Sequence, residues 1–260
     1  MKNELFHIIQ MYFSKSENPI YFYGDESRIA KLGEILGKLE PFDHPEAYAV
    51  LGKEVLIFEH FEFDSSHRLK RRGSQQRCSQ SADDRAFASV LPTEKGSLYH
   101  GAITADYTVD NYRENLKQVF CKHYNEIPGY KATLREHGVF KAGDRASTIF
   151  FIEDTTIFGN IFETDNEGNN VETLVLPRCD FFLDLFESSP DLDAAICASQ
   201  TLSGHCLWYI DRTMINEYRI HAVKTEDLKI INFRPQSLGV RIIVPEENLG
   251  GIKTIMREHI

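Results

Sequence analysis

The rhythm of apolar and polar positions changes several times along this chain, and each change predicts an element. Leu5, Ile8, Ile9 and Tyr12 recur at helical spacing, which predicts a short amphipathic first helix. Residues 19–24 (PIYFYG) read as a short aromatic strand. Asp25 is placed to cap a second helix with Ile29, Leu32, Ile35, Leu36 and Leu39 on one face, stopped by Pro41. A hairpin follows, with one strand over 46–51, Gly52-Lys53 as its turn and a long second strand over 54–64. Residues 65–101 lose the apolar rhythm and are rich in Ser, Gln, Arg and Gly, which predicts a long loop.

Helical spacing returns over 108–126. Val109, Tyr112, Leu116, Val119, Phe120 and His123 supply the apolar face, and Pro128-Gly129 is the expected stop. The run 146–153 (ASTIFFIE) is continuously apolar, the pattern of a strand covered on both faces. Segments 157–163 and 171–176 flank Asp165-Asn166-Glu167-Gly168, a second hairpin with turn chemistry. A short helix over 181–187 and strands over 194–198, 206–210 and 238–244 complete the pattern. Helices and strands interleave, so the expected class is α+β (mixed α/β), built as a single domain over 1–260.

Composition narrows the picture. The chain has 260 residues, 42% hydrophobic and 26% charged, values of an ordinary globular protein. No apolar run approaches the roughly 20 residues that span a bilayer, so no membrane partner is expected. The N-terminal stretch carries Glu4 and Gln10 and lacks a small-residue cleavage site, so it reads as a helix and not as a signal peptide. The five cysteines are scattered without a CxxC pair, which indicates reduced thiols in a cytoplasmic protein. There is no GxSxG, HExxH or P-loop signature.

Charge is more informative by segment than in total. The net charge of -10 opposes indiscriminate binding to nucleic acid. Residues 40–64, however, hold seven acids and one lysine, whereas residues 65–80 hold five cations and no acid. An acidic strand therefore runs directly into a basic loop.

The strand 54–64 carries the candidate chemistry. Val55, Ile57, Glu59, Phe61 and Phe63 share one face, and Leu56, Phe58, His60, Glu62 and Asp64 share the other. Glu59 interrupts an apolar row. A buried, unpaired carboxylate is costly, so Glu59 needs a cation, a metal or a hydrogen-bond donor. Pairing about the Gly52-Lys53 turn sets Asp43 roughly opposite the later part of the long strand, where it would converge with Glu59. Two convergent carboxylates suit Mg²⁺ or Mn²⁺. On the other face, His60, Glu62 and Asp64 are three potential metal ligands in a row; the simpler reading is that this face emerges into solvent.

The segment Pro-Phe-Asp43, followed after a hairpin by Leu-Ile-Phe-Glu59-His-Phe61, resembles the PD-(D/E)XK nuclease superfamily. The resemblance spans about residues 25–153. It implies a restriction-endonuclease-like mixed sheet flanked by helices, with residues 154–260 as a C-terminal α/β elaboration. It also implies metal-dependent phosphodiester hydrolysis, with Asp43 and Glu59 holding Mg²⁺ or Mn²⁺. Phe61 stands where the family has its lysine, so Lys70, or Arg68 beside it, is the expected catalytic cation. Glu34 or Glu26 would be the acid of the preceding helix. Arg68, Lys70, Arg71, Arg72 and Arg77 would bind phosphates of a nucleic acid, DNA rather than RNA, with a plain solvated loop as the alternative. By analogy the setting is phage defence or a mobile element, with a partner protein or a second copy of the chain. Phe61 also supports an alternative: a catalytically inactive relative that serves as a binding or assembly module.

Overall fold

Two opposed apolar faces on one sheet organise the fold. In the computed structural model the described residues are 20–23, 26–69, 73–78, 81–82, 85, 99–100, 107–156, 159–164, 167, 170–173, 175–201, 204–232 and 239–240. The first helix expected from the sequence lies outside them. The elements run β1 (Ile20–Tyr23), α1 (Glu26–Leu36), β2 (Glu40–Pro41), β3 (Ala47–Leu51), β4 (Glu54–Phe63), β5 (Arg68–Leu69), β6 (Gly73–Ser74) and β7 (Tyr99–His100). They continue with α2 (Val109–Glu136), β8 (Arg145–Asp154), β9 (Gly159–Thr164), β10 (Asn170–Thr173), α3 (Asp180–Glu187), β11 (Ala194–Thr201) and β12 (Gly204–Asp211). The last are α4 (Ile215–Ile220), β13 (Leu228–Asn232) and β14 (Gly239–Val240).

Seven strands form a mixed sheet in the order β1-β12-β11-β8-β4-β3-β2. β4, β8 and β11 are mutually parallel, and α2 makes the crossover from β4 to β8. Alternate residues on these strands go to opposite faces. Ile57, Phe61, Phe63, Phe150, Ile152, Ala195 and Cys197 pack with α2 and α3, while Leu56, Phe58, Ile149, Phe151, Ala194 and Ile196 pack with α1. Covering both faces is what makes the central strands continuous apolar runs. A second sheet, β10-β9-β13, is antiparallel. The chain is thus a mixed α+β protein, as the interleaved pattern implied. Among the described residues no helix is long and apolar enough to cross a membrane.

Three local departures matter for the site. α1 ends at Leu36, ahead of Gly37, so Pro41 lies in the short edge strand β2 and is not the helix stop. The hairpin turns at Gly52, whose φ of 65° is left-handed, and its ladder runs from Leu51↔Glu54 only to Ala47↔Phe58. The chain then folds back through residues 42–46, where the Phe42 N–H donates to the Glu46 carbonyl at 2.8 Å, so Asp43 stands on an exposed bend beyond the paired ladder.

The third departure is α2, which does not stop at Pro128. It starts on Thr108, whose side chain accepts from the Asn111 N–H, and runs through the proline to Glu136. Pro128 removes one helix hydrogen bond, a cost of about 3 kcal/mol. Ile127, Tyr130 and Leu134 extend the buried stripe begun by Tyr112, Leu116 and Phe120, and all three are essentially inaccessible. Burial worth roughly 1.5–3 kcal/mol per large side chain outweighs the loss.

Candidate metal centre

The long strand and the long helix together build the site. Glu59 sits in the middle of β4, 5% exposed, on the face that α2 covers. α2 presents two adjacent rows to the sheet. One is the apolar stripe just described; the other is Asn115, Val119, His123 and Glu126, spaced by four, four and three residues, and it meets the stripe at Tyr130 four residues on. His123 faces Glu59, and its Nδ1–H donates to Glu59 Oε1 at 2.8 Å. The buried acid therefore has the donor that the sequence required.

The ring of His123 is held from both sides. Phe61 stacks on it at 4.9 Å between ring centroids and 15° between planes. The Tyr130 hydroxyl lies 3.4 Å from Nδ1 and donates to Glu126 Oε2 at 2.9 Å. Burial, and then the charge of Glu59, push the Tyr130 phenol well above its ordinary range, so it remains a donor. Glu59 Oε2 is buried and has no hydrogen-bond partner among the described residues. The side chains grow more exposed from Glu59 through His123 to Glu126, which opens the cluster toward solvent. Ligand atoms of Glu59, His123 and Glu126 all lie within 4.8 Å of one another, and these three residues could hold a metal ion.

The expected acid pair is regrouped. Glu59 is in the cluster, and Asp43 is not among its converging residues. The ring of His44, the neighbour of Asp43, packs edge-on against Tyr130 at 4.7 Å. Glu34 is on the exposed side of α1, paired with Lys38 at 2.6 Å. Phe61 is a buried aromatic stacked on the ring of His123.

The row His60, Glu62 and Asp64 is not a metal set, because each has a different partner. His60 Nε2 is 3.3 Å from Glu153 Oε2. Glu62 pairs with Arg77 at 3.0 Å. Asp64, 3% exposed, accepts from the Ser66 N–H at 2.9 Å and from the hydroxyls of Ser66 and Ser74.

That last knot also corrects the reading of residues 65–101 as loop throughout. Asn115 donates to the carbonyls of Asp64 and Ser66 at 2.7 and 2.8 Å, and Gln76 donates to the Thr155 carbonyl at 2.7 Å. The start of the basic segment is thereby pinned to β4, α2 and the end of β8. Of the five expected phosphate-binding cations, Lys70, Arg71 and Arg72 lie outside the described residues. Arg68 reaches α2 and donates to Gln118 Oε1 at 3.1 Å. Arg68, Ser74 and Arg77 line a small pocket together with Glu62, Asp64, Asn115 and Val119. Val119 precedes His123 by four residues, or about 6 Å along the helix.

Sequence reasoning placed His123 on the correct helical face but counted it as core, and it ended the helix before Tyr130. The available signal was a histidine within an apolar stripe, followed three residues later by Glu126, in a helix destined to cover an acid-bearing strand. No protein-family model, curated protein or solved structure matches the chain.

Proposed function

We propose that this protein is a metal-dependent nuclease that hydrolyses phosphodiester bonds at the Glu59–His123–Glu126 cluster. One observation carries the reading: a single row on α2 joins that cluster to the pocket lined by Arg68 and Arg77, one helical turn away. Glu59, His123 and Glu126 would hold the ion, which when bound would supply Lewis-acid chemistry toward a phosphate oxygen and an attacking water. Arg68 and Arg77 would hold a neighbouring phosphate, as cations next to a scissile bond do. Tyr130 keeps Glu126 oriented through its hydrogen bond. The resemblance of the Asp43–Phe61 segment to PD-(D/E)XK nucleases agrees with this reaction class, and the site proposed here draws its second and third ligands from the helix.

The test is incubation of the full chain with supercoiled and single-stranded DNA, and with RNA, in Mg²⁺, Mn²⁺, Zn²⁺ or EDTA. Cleavage is expected with metal, DNA being the first substrate to examine, and is expected to fall at least 100-fold in Glu59→Gln. Cleavage that persists in Glu59→Gln would sink the site.

A second reading, a binding module on the same fold, is favoured by Phe61. Where the family has a lysine, this residue stacks on His123, and the ion-pair partner of Glu59 among the described residues is that histidine, not a lysine or arginine. Nucleic-acid binding without cleavage in any metal would support it.

A further inference from the structure

We infer that the Glu59–His123–Glu126 cluster is a mixed nitrogen–oxygen site that loads Zn²⁺ or Mn²⁺ in preference to Mg²⁺. The inference builds on the site reading above and adds the ligand set and the class of ion.

Geometry supplies three donors from two rigid elements. Glu59 comes from the centre of β4, and His123 and Glu126 come from successive turns of α2, with all ligand atoms within 4.8 Å. Sites built on a strand and a helix hold their donors more firmly than sites on loops. Glu59 Oε2 is an independent pointer. It belongs to a residue only 5% exposed, on the same carboxylate whose Oε1 meets His123, and it has no hydrogen-bond partner among the described residues. Such an oxygen is costly unless something fills its place.

The surroundings are those of a site that is oriented in advance. Stacking on Phe61 fixes the plane of the imidazole and keeps Nδ1 turned toward Glu59. Tyr130 donates to Glu126, the kind of outer hydrogen bond that orients a ligating carboxylate. His123 and Glu59 would hold the ion, and binding it would release to solvent the proton that now joins them. Three protein donors leave positions open for water or a substrate oxygen.

The donor types select the ion. Mg²⁺ is bound through one or two carboxylates, keeps much of its water and does not favour imidazole. Imidazole suits zinc and later first-row ions, and Mn²⁺ accepts a carboxylate-rich set. One imidazole with two carboxylates therefore favours Zn²⁺ first, then Mn²⁺, with Mg²⁺ last.

The experiment is titration calorimetry on the EDTA-treated, dialysed full chain with each chloride salt, plus electron paramagnetic resonance of added Mn²⁺. One ion per chain is expected, with Zn²⁺ and Mn²⁺ each bound at least tenfold more tightly than Mg²⁺. H123Q and E59Q are expected to weaken Mn²⁺ binding at least 100-fold, and Y130F by 10–100-fold. Glu126 is part-exposed, so E126Q provides a ligand variant that folds even if H123Q does not. Lack of saturable Zn²⁺ or Mn²⁺ binding would overturn the inference. So would equally tight Mg²⁺ binding, or binding untouched by E59Q and E126Q. Loss in D43N alone would move the ion to the acid pair and overturn it too. Tight, variant-sensitive metal binding without cleavage overturns the nuclease reading and leaves this one standing.

Discussion

Two buried acids five residues apart, Glu59 in β4 and Asp64 just past its end, are treated by the structure in opposite ways. Asp64, just past the strand end, is well supplied: three donors reach its carboxylate, Asn115 holds its carbonyl, and Gln76 ties Ser66 onward to the Thr155 carbonyl just beyond β8. Glu59, mid-strand, has the His123 ring on Oε1, the Tyr130 hydroxyl beside its carboxylate, no hydrogen-bond partner at Oε2 among the described residues, and a second glutamate close by. A buried acid whose acceptor capacity is filled by its own fold serves as a fastener. One that the fold leaves underfilled, with other ligand-type side chains converging on it, has capacity for something that is not protein.

The largest effect expected from this contrast is on stability at the well-supplied acid. Asp64→Ala strands the hydroxyls of Ser66 and Ser74 and removes hydrogen bonds to a charged group, each worth about 1.5–3 kcal/mol. A loss of about 3–5 kcal/mol in urea denaturation is expected. A loss under about 1 kcal/mol would show that the knot does not fasten the segment.

Glu59→Gln gives the converse. It retains an acceptor for the His123 N–H, so stability is expected to change by less than about 1 kcal/mol. Mn²⁺ binding is nonetheless expected to fall at least 100-fold, a difference of about 2.7 kcal/mol at 1.36 kcal/mol per tenfold. If Glu59→Gln unfolds the protein as readily as Asp64→Ala, the two acids have the same role and the contrast collapses.

Asp154, part-buried at the end of β8, tests the rule with a third acid. Burial raises its pKa above the ordinary 3.8, although the Thr156 N–H and hydroxyl both donate to Oδ1 and counter the shift. A raised folded-state value means that stability declines as pH rises from about the unfolded value through the folded one. Asp154→Asn keeps an oxygen for both Thr156 donors. It is therefore expected to stabilise the protein at pH 7 and to lose that advantage below about pH 4. Urea midpoints at the two pH values read this directly, and an advantage that grows on acidification would reverse the sign.

The smallest effect belongs to Arg77. Its ion pair with Glu62 is half in solvent, so Arg77→Ala is expected to change stability by no more than about 1 kcal/mol. Affinity for single-stranded DNA is expected to fall a few-fold, with a salt dependence shallower by about one counterion. Unchanged affinity and salt slope would remove Arg77 from the phosphate-binding surface.

Much of the frame was legible because period and run length are local properties. The hairpin with its Gly52-Lys53 turn, the doubly buried β8 and the two faces of β4 all follow from neighbouring residues. The oddity of Glu59 was legible for the same reason, since a carboxylate in an apolar row stands out against residues two positions away. Local rules also misled. Pro128 is a helix stop by propensity, yet the burial of Ile127, Tyr130 and Leu134 against the sheet carries α2 past it. Asp43 lines up with the long strand only if the ladder continues, and the chain instead folds back at residues 42–46.

By itself the sequence determined that this is a mixed α+β chain, that its central strand carries one acid needing a partner, and that a basic segment follows an acidic one. Only the tertiary structure decided which partner Glu59 has. His123 is 64 residues away, and a crossover helix had to be laid across β4 before His123, Glu126 and Tyr130 could meet it. The sequence pattern sets which face a side chain takes, because that depends on backbone period. Which residues face each other across two elements depends on the length and crossing of those elements, and these are fixed by the packing of the whole core.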